Sequence, residues 1–261
     1  MTHSNKKYSD QVLLRRQIIE MATHSSHVAV SLSCIDILAA LYRETLNLPQ
    51  DSFIFSKGHG AMALYAVFAE VGLIPHSLLK EYAKNGSILA EHPLAKKINC
   101  LEFATGSLGH GLAVAAGIAK AKKIMSDSSK TFVLMGDGEC NEGSVWEAAS
   151  LAAAQELPNL NAIIDWNNLQ ACGSWSNISK GSDMIKSWQA FGWETVELSG
   201  HDYLAMVAHF NASNTSNKPR VFLCHTIKGK GVDFMENNLE WHYRSVSQED
   251  RVRAENQLNN A

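Results

Sequence analysis

The residues best placed to do chemistry are an aspartate between two glycines, Gly136-Asp137-Gly138, and an asparagine pair about thirty residues later, Asn167-Asn168. Carboxylate and amide oxygens are hard donors that suit magnesium or calcium rather than zinc. A magnesium ion with few protein ligands usually holds the phosphates of a substrate or cofactor. Gly-Asp-Gly alone is a common turn; the second segment ending in paired asparagines moves the reading to a metal-bridged diphosphate site. The flanking residues say how the two would be positioned. Residues 131–135, Thr-Phe-Val-Leu-Met, are short and apolar and predict a buried strand. Residues 144–156 are rich in Ala, Leu and Glu and predict a helix that Pro158 stops. Residues 160–166 predict the next strand. Asp137 and Asn167 then stand at the tips of consecutive parallel strands, which open on one sheet edge where ligands bind. Gly136 and Gly138 let the chain turn sharply and approach a ligand with its backbone.

The remaining candidates are histidines and glycine-rich turns. Helical spacing predicts helices over residues 11–22 and 35–42, the second introduced by Ser33, with a polar loop carrying His24 and His27 between them. Residues 53–55 predict a short strand, and Gly58-His59-Gly60 leads into a helix over 61–71, a start that can accept phosphate on free backbone N–H groups. His92 precedes Pro93, which holds it extended. Thr105-Gly106-Ser107-Leu108-Gly109-His110-Gly111 opens a helix over 112–125; glycines in this pattern are a weak phosphate-loop signal by themselves. Further on, a helix contains Ile185 and Trp188, and residues 193–198 alternate as a strand. Residues 199–202 cap another helix, 211–218 form a surface loop, and 219–225 form a last strand before a polar tail. The fold class expected is α/β, a parallel sheet with helices on both faces, in one domain over residues 1–261 with its core at 11–244.

Composition narrows the function class. A net charge of −3 gives no electrostatic case for nucleic acid, and no apolar run reaches the ~20 residues that span a bilayer. The five cysteines are scattered without a Cys-x-x-Cys pair, and the polar start lacks a signal-peptide pattern. Reduced thiols and a cytoplasmic location are therefore expected.

Gly136-Asp137-Gly138 followed by Asn167-Asn168 resembles the thiamine diphosphate signature. The wider Gly-Asp-Gly-Glu-x-x-Glu-Gly-x-x-Trp-Glu-Ala, with Phe-Ser-Lys-Gly-His at 55–59 and Thr-Gly-Ser-Leu-Gly at 105–109, resembles transketolase. The resemblance covers residues 11–244. It implies a thiamine diphosphate-binding domain of the diphosphate type, with Asp137, Asn167 and the Leu169 carbonyl as ligands of Mg2+ or Ca2+. Cofactor contacts are implied at His59, Gly106, Ser107, Leu108, Gly109, Gly136, Asp137, Gly138, Glu139 and Asn167. His27, His59, His92 and His242 are implied as catalytic, substrate-facing residues, and Glu142 and Glu147 as interface or proton-relay residues. The pyrimidine-binding and third domains of a full transketolase are not in this sequence. The resemblance thus implies an N-terminal subunit that transfers a two-carbon ketol unit between sugars or sugar phosphates with a C-terminal partner subunit, in an α2β2 heterotetramer. The alternatives are a chain resembling deoxyxylulose-phosphate synthase or the alpha chain of a 2-oxo acid dehydrogenase, and a non-catalytic cofactor-binding scaffold. The sequence departs from the transketolase pattern at Ser26 and Glu91, both glycines in the family, at Val28-Ala29-Val30 for Pro-Gly-Gly, at Leu94 for an acid and at His110 for glutamine. Such changes reshape a substrate channel and favour a specialised sugar.

Overall fold

The computed structural model describes residues 3–24, 26–101 and 103–259. The helices are α1 (His3–Met21), α2 (Val28–Ala40), α3 (Ala61–Glu70), α4 (Gly111–Ile124), α5 (Gly143–Ala154), α6 (Trp175–Ile178), α7 (Met184–Ala190), α8 (Tyr203–Asn211) and α9 (Gln248–Asn259). The strands are β1 (Ser52–Phe55), β2 (Thr131–Gly136), β3 (Leu160–Trp166), β4 (Leu169–Gln170), β5 (Gly173–Ser174), β6 (Glu194–Ser199) and β7 (Arg220–His225). Contacts divide the chain into two compact units: Met1–Arg43, His59–Ala104 and Ile227–Ala261 form one, and Glu44–Gly58 with Thr105–Thr226 form the other.

The second unit is the α/β layer. Its main sheet has five strands, all parallel, in the order β1-β2-β3-β7-β6. The inner strands are mostly apolar because both of their faces are covered. Val133, Met135, Ala162, Ile164, Val221 and Leu223 pack on one face against Leu112, Ala115, Ala116 and Ala119 of α4 and Val145, Ala148, Ala149 and Ala152 of α5. Alanine on both helices lets their axes lie close to the sheet. Between Val221 and Leu223, Phe222 points to the opposite face, where its ring meets Phe210 of α8 at 5.0 Å. Helices thus cover both faces, as expected. Edge strand β6 is the exception in burial, with Glu194 half-buried and Glu197 exposed, charges that discourage further strand pairing. The predicted strands 131–135, 160–166, 193–198 and 219–225 agree with β2, β3, β6 and β7 to within a residue at each end. The sequence reading did not anticipate the β4–β5 hairpin, which turns the chain just past Asn168.

The other unit is helical. Every residue of α2 is buried, including Ser31, Ser33 and Asp36, so the helix is covered all round and carries one charge. That charge is met by Arg15 of α1 in a two-pronged ion pair at 3.0 and 2.6 Å, and Arg15 Nε also donates to the Lys230 carbonyl at 3.0 Å. The pair fixes α1 to α2 and to the turn after Ile227.

Two expectations are corrected here. Residues 28–33 are not loop: α2 begins at Val28, seven residues before the expected start. The reason is burial of Val28, Ala29 and Val30, with the Ser31 hydroxyl donating back to the His27 carbonyl at 3.3 Å and Ser33, expected to introduce the helix, buried inside it. The polar tail is also helical. Ser247 and Asp250 form a reciprocal capping box, Asp250 N donating to Ser247 Oγ at 3.1 Å and Ser247 N donating to Asp250 Oδ2 at 3.2 Å. Arg251 and Glu255 add an i,i+4 pair at 2.7 Å, and Ala254 and Leu258 are buried as α9 packs on α1.

Candidate active site

In the α/β unit, β2 and β3 are in register with Gly136 opposite Asp165, and Asp137 N continues the ladder by donating to the Asp165 carbonyl at 3.3 Å. Asp137 is 3% exposed. Its Oδ1 accepts from Gly138 N at 2.7 Å and its Oδ2 from Asn168 N at 2.6 Å. Asn168 takes a left-handed conformation, φ 60°, which asparagine tolerates and which turns the chain into β4. Asn167 Oδ1 accepts from Leu169 N at 3.1 Å, and its Nδ2 reaches Asp165 Oδ2 at 3.5 Å. The three expected ligands, Asp137, Asn167 and Leu169, are therefore brought together by one tight turn between adjacent strand tips.

Two buried carboxylates support that turn. Asp165 is fully buried, ion-paired to the equally buried Lys57 and accepting from the Thr226 hydroxyl. Glu139 is 1% exposed. It accepts from the Ser56 hydroxyl, from Gly109 N at 2.8 Å and from Gly136 N at 3.4 Å. Its side chain is thus turned inward, clamping the loop at 106–109 to the turn after β2. Gly109 has φ 88°, and a Cβ there would stand 2.7 Å from Glu142 Cβ, so only glycine fits. Gly106 is likewise left-handed, at φ 137°; Ser107 is exposed and Leu108 half-buried. Glu142 precedes α5 and Glu147 lies on it; both are exposed.

The site's electrostatics favour a cation. Burial, and then the neighbouring Asp165 carboxylate, push the Asp137 carboxyl up to about 7 against its two N–H donors and Lys57. A divalent ion beside Asp137 would reverse both effects. Thr105 Oγ1, next to Gly106, and Gln170 Nε2, whose side chain lies against Gly138, are buried with no hydrogen-bond partner among the described residues. Polar groups of that kind accommodate a polar ligand at these loops. Among the described residues no three His, Cys, Asp or Glu side chains gather as a metal cluster. One carboxylate, one amide and one carbonyl make a set that magnesium completes with phosphate oxygens and water. The donor set therefore fits a metal–diphosphate group.

In the helical unit, four histidines from separate stretches meet. The His27 ring lies 5.4 Å from His59, 6.3 Å from His92 and 5.5 Å from His242 between centroids, and His59 stacks on His242 at 6.1 Å. His27 is the residue before α2, with φ 65°, a strained conformation for a side chain of its size. Buried Lys228 places Nζ 2.5 Å from His242 Nδ1. An ammonium only donates, so a charged Lys228 would place the His242 ring proton on Nε2. Burial holds the His27 imidazole down to about 4, opposed by the Glu91 carboxylate and assisted by His92 and Lys228. The unfolded chain takes up this proton near 6.5. Between those values the unfolded state binds more protons, so His27 makes stability rise with pH from about 4 to 6.5. His27→Gln is expected to flatten that segment of a stability profile, measured by urea unfolding at a series of pH values. An unchanged slope would remove His27 as its source.

Sequence reasoning singled out neither Lys57 and Asp165 nor Ser26, Glu91 and Lys228 as functional residues. For Asp165 a signal existed: a charge inside the apolar run Ile163-Ile164-Asp165-Trp166 must have a buried partner. All five cysteines are free thiols. Among the described residues no helix is long and apolar enough to cross a membrane.

Known proteins resemble this chain in sequence and in fold. Residues 7–259 match the family model of the transketolase thiamine diphosphate-binding domain. One of the subunits of the apulose-4-phosphate transketolase of Actinobacillus succinogenes is 39% identical over 242 residues, 88% of each chain. The 6-deoxy-6-sulfo-D-fructose transketolase subunit SqwG of a Clostridium species is 34% identical over 85% of this chain and 84% of its own. The transketolase of Campylobacter jejuni superposes with a TM-score of 0.83 at 26% identity, over 99% of this chain but 43% of that one.

Proposed function

This chain belongs to the transketolase family through its thiamine diphosphate-binding domain, and from that premise we propose that it is the N-terminal subunit of a transketolase built from two polypeptides. In this reading it transfers a two-carbon ketol unit from a ketose to an aldose. The observation that carries the reading is the turn at the tips of β2 and β3 that joins Asp137, Asn167 and Leu169. Asp137 Oδ, Asn167 Oδ1 and the Leu169 carbonyl would hold Mg2+ or Ca2+, and backbone groups of residues 106–109 and 136–139 would meet the diphosphate. Thiamine diphosphate, when bound, supplies the nucleophilic carbon and the electron sink that carbon–carbon bond exchange requires.

The protein's own residues do the rest. Glu139 keeps the 106–109 loop in place, and Lys57 neutralises Asp165 beneath the metal ligands. His27, His59, His92 and His242 would hydrogen-bond sugar hydroxyls and move protons. Exposed Glu142 and Glu147 would lie at an interface between protomers. A partner carrying the pyrimidine-binding domain, in an α2β2 assembly, is supported by relatives that are named as subunits and match over nearly their whole length. Those relatives are named for a phosphorylated and a sulfonated sugar, which supports a specialised ketose with an anionic end as the donor. A cytoplasmic location is supported by the free thiols.

The test is co-purification with the candidate pyrimidine-domain partner, followed by assay with thiamine diphosphate and Mg2+. The donors are xylulose 5-phosphate, apulose 4-phosphate, 6-deoxy-6-sulfofructose and pyruvate. Two-carbon transfer from a ketose is the expected result. Turnover of pyruvate alone, or of no donor, would overturn it, the latter in favour of a non-catalytic cofactor-binding subunit.

A further inference from the structure

The histidine cluster is held from behind by two residues outside the chemistry proposed above. Ser26 and Glu91 are positions at which the sequence departs from the transketolase motifs, and in the structure they meet. Glu91 Oε1 accepts from both Ser26 N and Ser26 Oγ at 3.4 Å, and Ser26 Oγ lies 2.9 Å from His27 Nδ1. A serine hydroxyl has one proton. A carboxylate only accepts, so it draws that proton toward itself. The hydroxyl oxygen is then left to accept from His27, which requires the imidazole proton to be on Nδ1. Nε2 is the acceptor in that tautomer, and the other rings around His27 are His59, His92, His242 and Tyr243.

We propose that Glu91 is a positioning residue that acts through the Ser26 hydroxyl to fix His27 in the Nδ1-protonated tautomer, with Nε2 as the proton-accepting atom of the cluster. The backbone contributes, because Ser26 N anchors the same carboxylate oxygen and so sets the direction of the hydroxyl. Without Glu91 the hydroxyl can turn its proton toward Nδ1, and the ring proton moves to Nε2. The histidine would then present a donor where the chemistry needs a base. Among the described residues the charged and titratable groups that face His27 are Glu91, His92, Lys228, His59, His242 and Tyr243. Glu91 is the only acid among them, so no other carboxylate in that group can replace it. The catalytic consequence, acceptance of a proton from a sugar hydroxyl, rests on the reading of the cluster as substrate-facing.

The experiment uses the full chain labelled with 15N, recording long-range 1H–15N spectra of the histidine side chains near pH 7, with His27 assigned by its loss in His27→Gln. Wild type is expected to show a protonated Nδ1 and an unprotonated Nε2. Glu91→Ala and Ser26→Ala are expected to shift His27 toward the opposite tautomer. Glu91→Gln retains an acceptor oxygen and is expected to keep the wild-type pattern, which separates tautomer control from a general loss of structure. In the complete enzyme Glu91→Ala is expected to lower kcat/KM by about 10- to 100-fold, with Glu91→Gln retaining most of it. A wild-type His27 protonated on Nε2, or an unchanged tautomer in folded Glu91→Ala, would overturn the proposal. The spectra need neither cofactor nor substrate. A tautomer switch in a chain that transfers no ketol unit would support the positioning role while refuting the functional reading.

Discussion

Lys57→Met is expected to destabilise the chain by about 3–5 kcal/mol, because it leaves the Asp165 carboxylate buried without its cation. Both partners are buried almost completely, at 1% and 0% side-chain exposure. Water cannot replace the lost ammonium, and Thr226 and Asn167 offer only neutral donors. Methionine keeps most of the volume of the lysine stem, so the loss reads out charge rather than a cavity. Urea unfolding at pH 7, followed by circular dichroism, measures it. The double variant Lys57→Met with Asp165→Leu is expected to recover much of the loss, since removing both charges removes the desolvation cost with them. A single-variant loss below about 1 kcal/mol, the range of an exposed pair, would show that Asp165 is compensated by another route.

Asp137→Ala is expected to separate stability from binding. In wild type without ligand, the folded Asp137 carboxyl releases its proton at about 7, against 3.8 for the ordinary side chain. From about 4 to 7 the folded state therefore holds a proton that the unfolded state has lost. The contribution of Asp137 to stability then falls as pH rises through that window, opposing the rise contributed by His27 below about 6.5. Asp137→Ala removes this slope and is expected to be at least as stable as wild type at pH 7. Calorimetric titration with thiamine diphosphate and Mg2+ is expected to show the opposite effect on binding, a loss of more than about 100-fold, since even residues that only support metal ligands are worth about 10- to 100-fold. Such a trade, a destabilising charge kept for the ion it binds, marks functional sites. Wild-type affinity in Asp137→Ala would remove the metal–diphosphate assignment.

The candidate diphosphate site was legible because its parts are local. Asp137 and Asn167 each follow an apolar run that is a strand by composition, and consecutive parallel strands place their tips side by side whatever surrounds them. Of the glycines, Gly109 is the one a close backbone approach requires, whereas a Cβ on Gly136 would meet nothing within 4 Å. The start of α2 was misplaced because a helix buried all round has no amphipathic rhythm to mark its first turn. The tail helix α9 carried a readable signal, Ser247-x-x-Asp250, which its polar composition obscured.

Amino-acid order alone determined the strands, the glycine turns and the oxygen donors at the strand ends, since those follow from side-chain periodicity and backbone sterics over a few residues. Only the folded chain decided which charges meet. Lys57 finds Asp165, Glu139 gathers Ser56 and Gly109, Ser26 finds Glu91, and four distant histidines share one cluster. The buried partners are chosen by the packing that removes both groups from water, and that packing is a property of the whole fold rather than of any one segment.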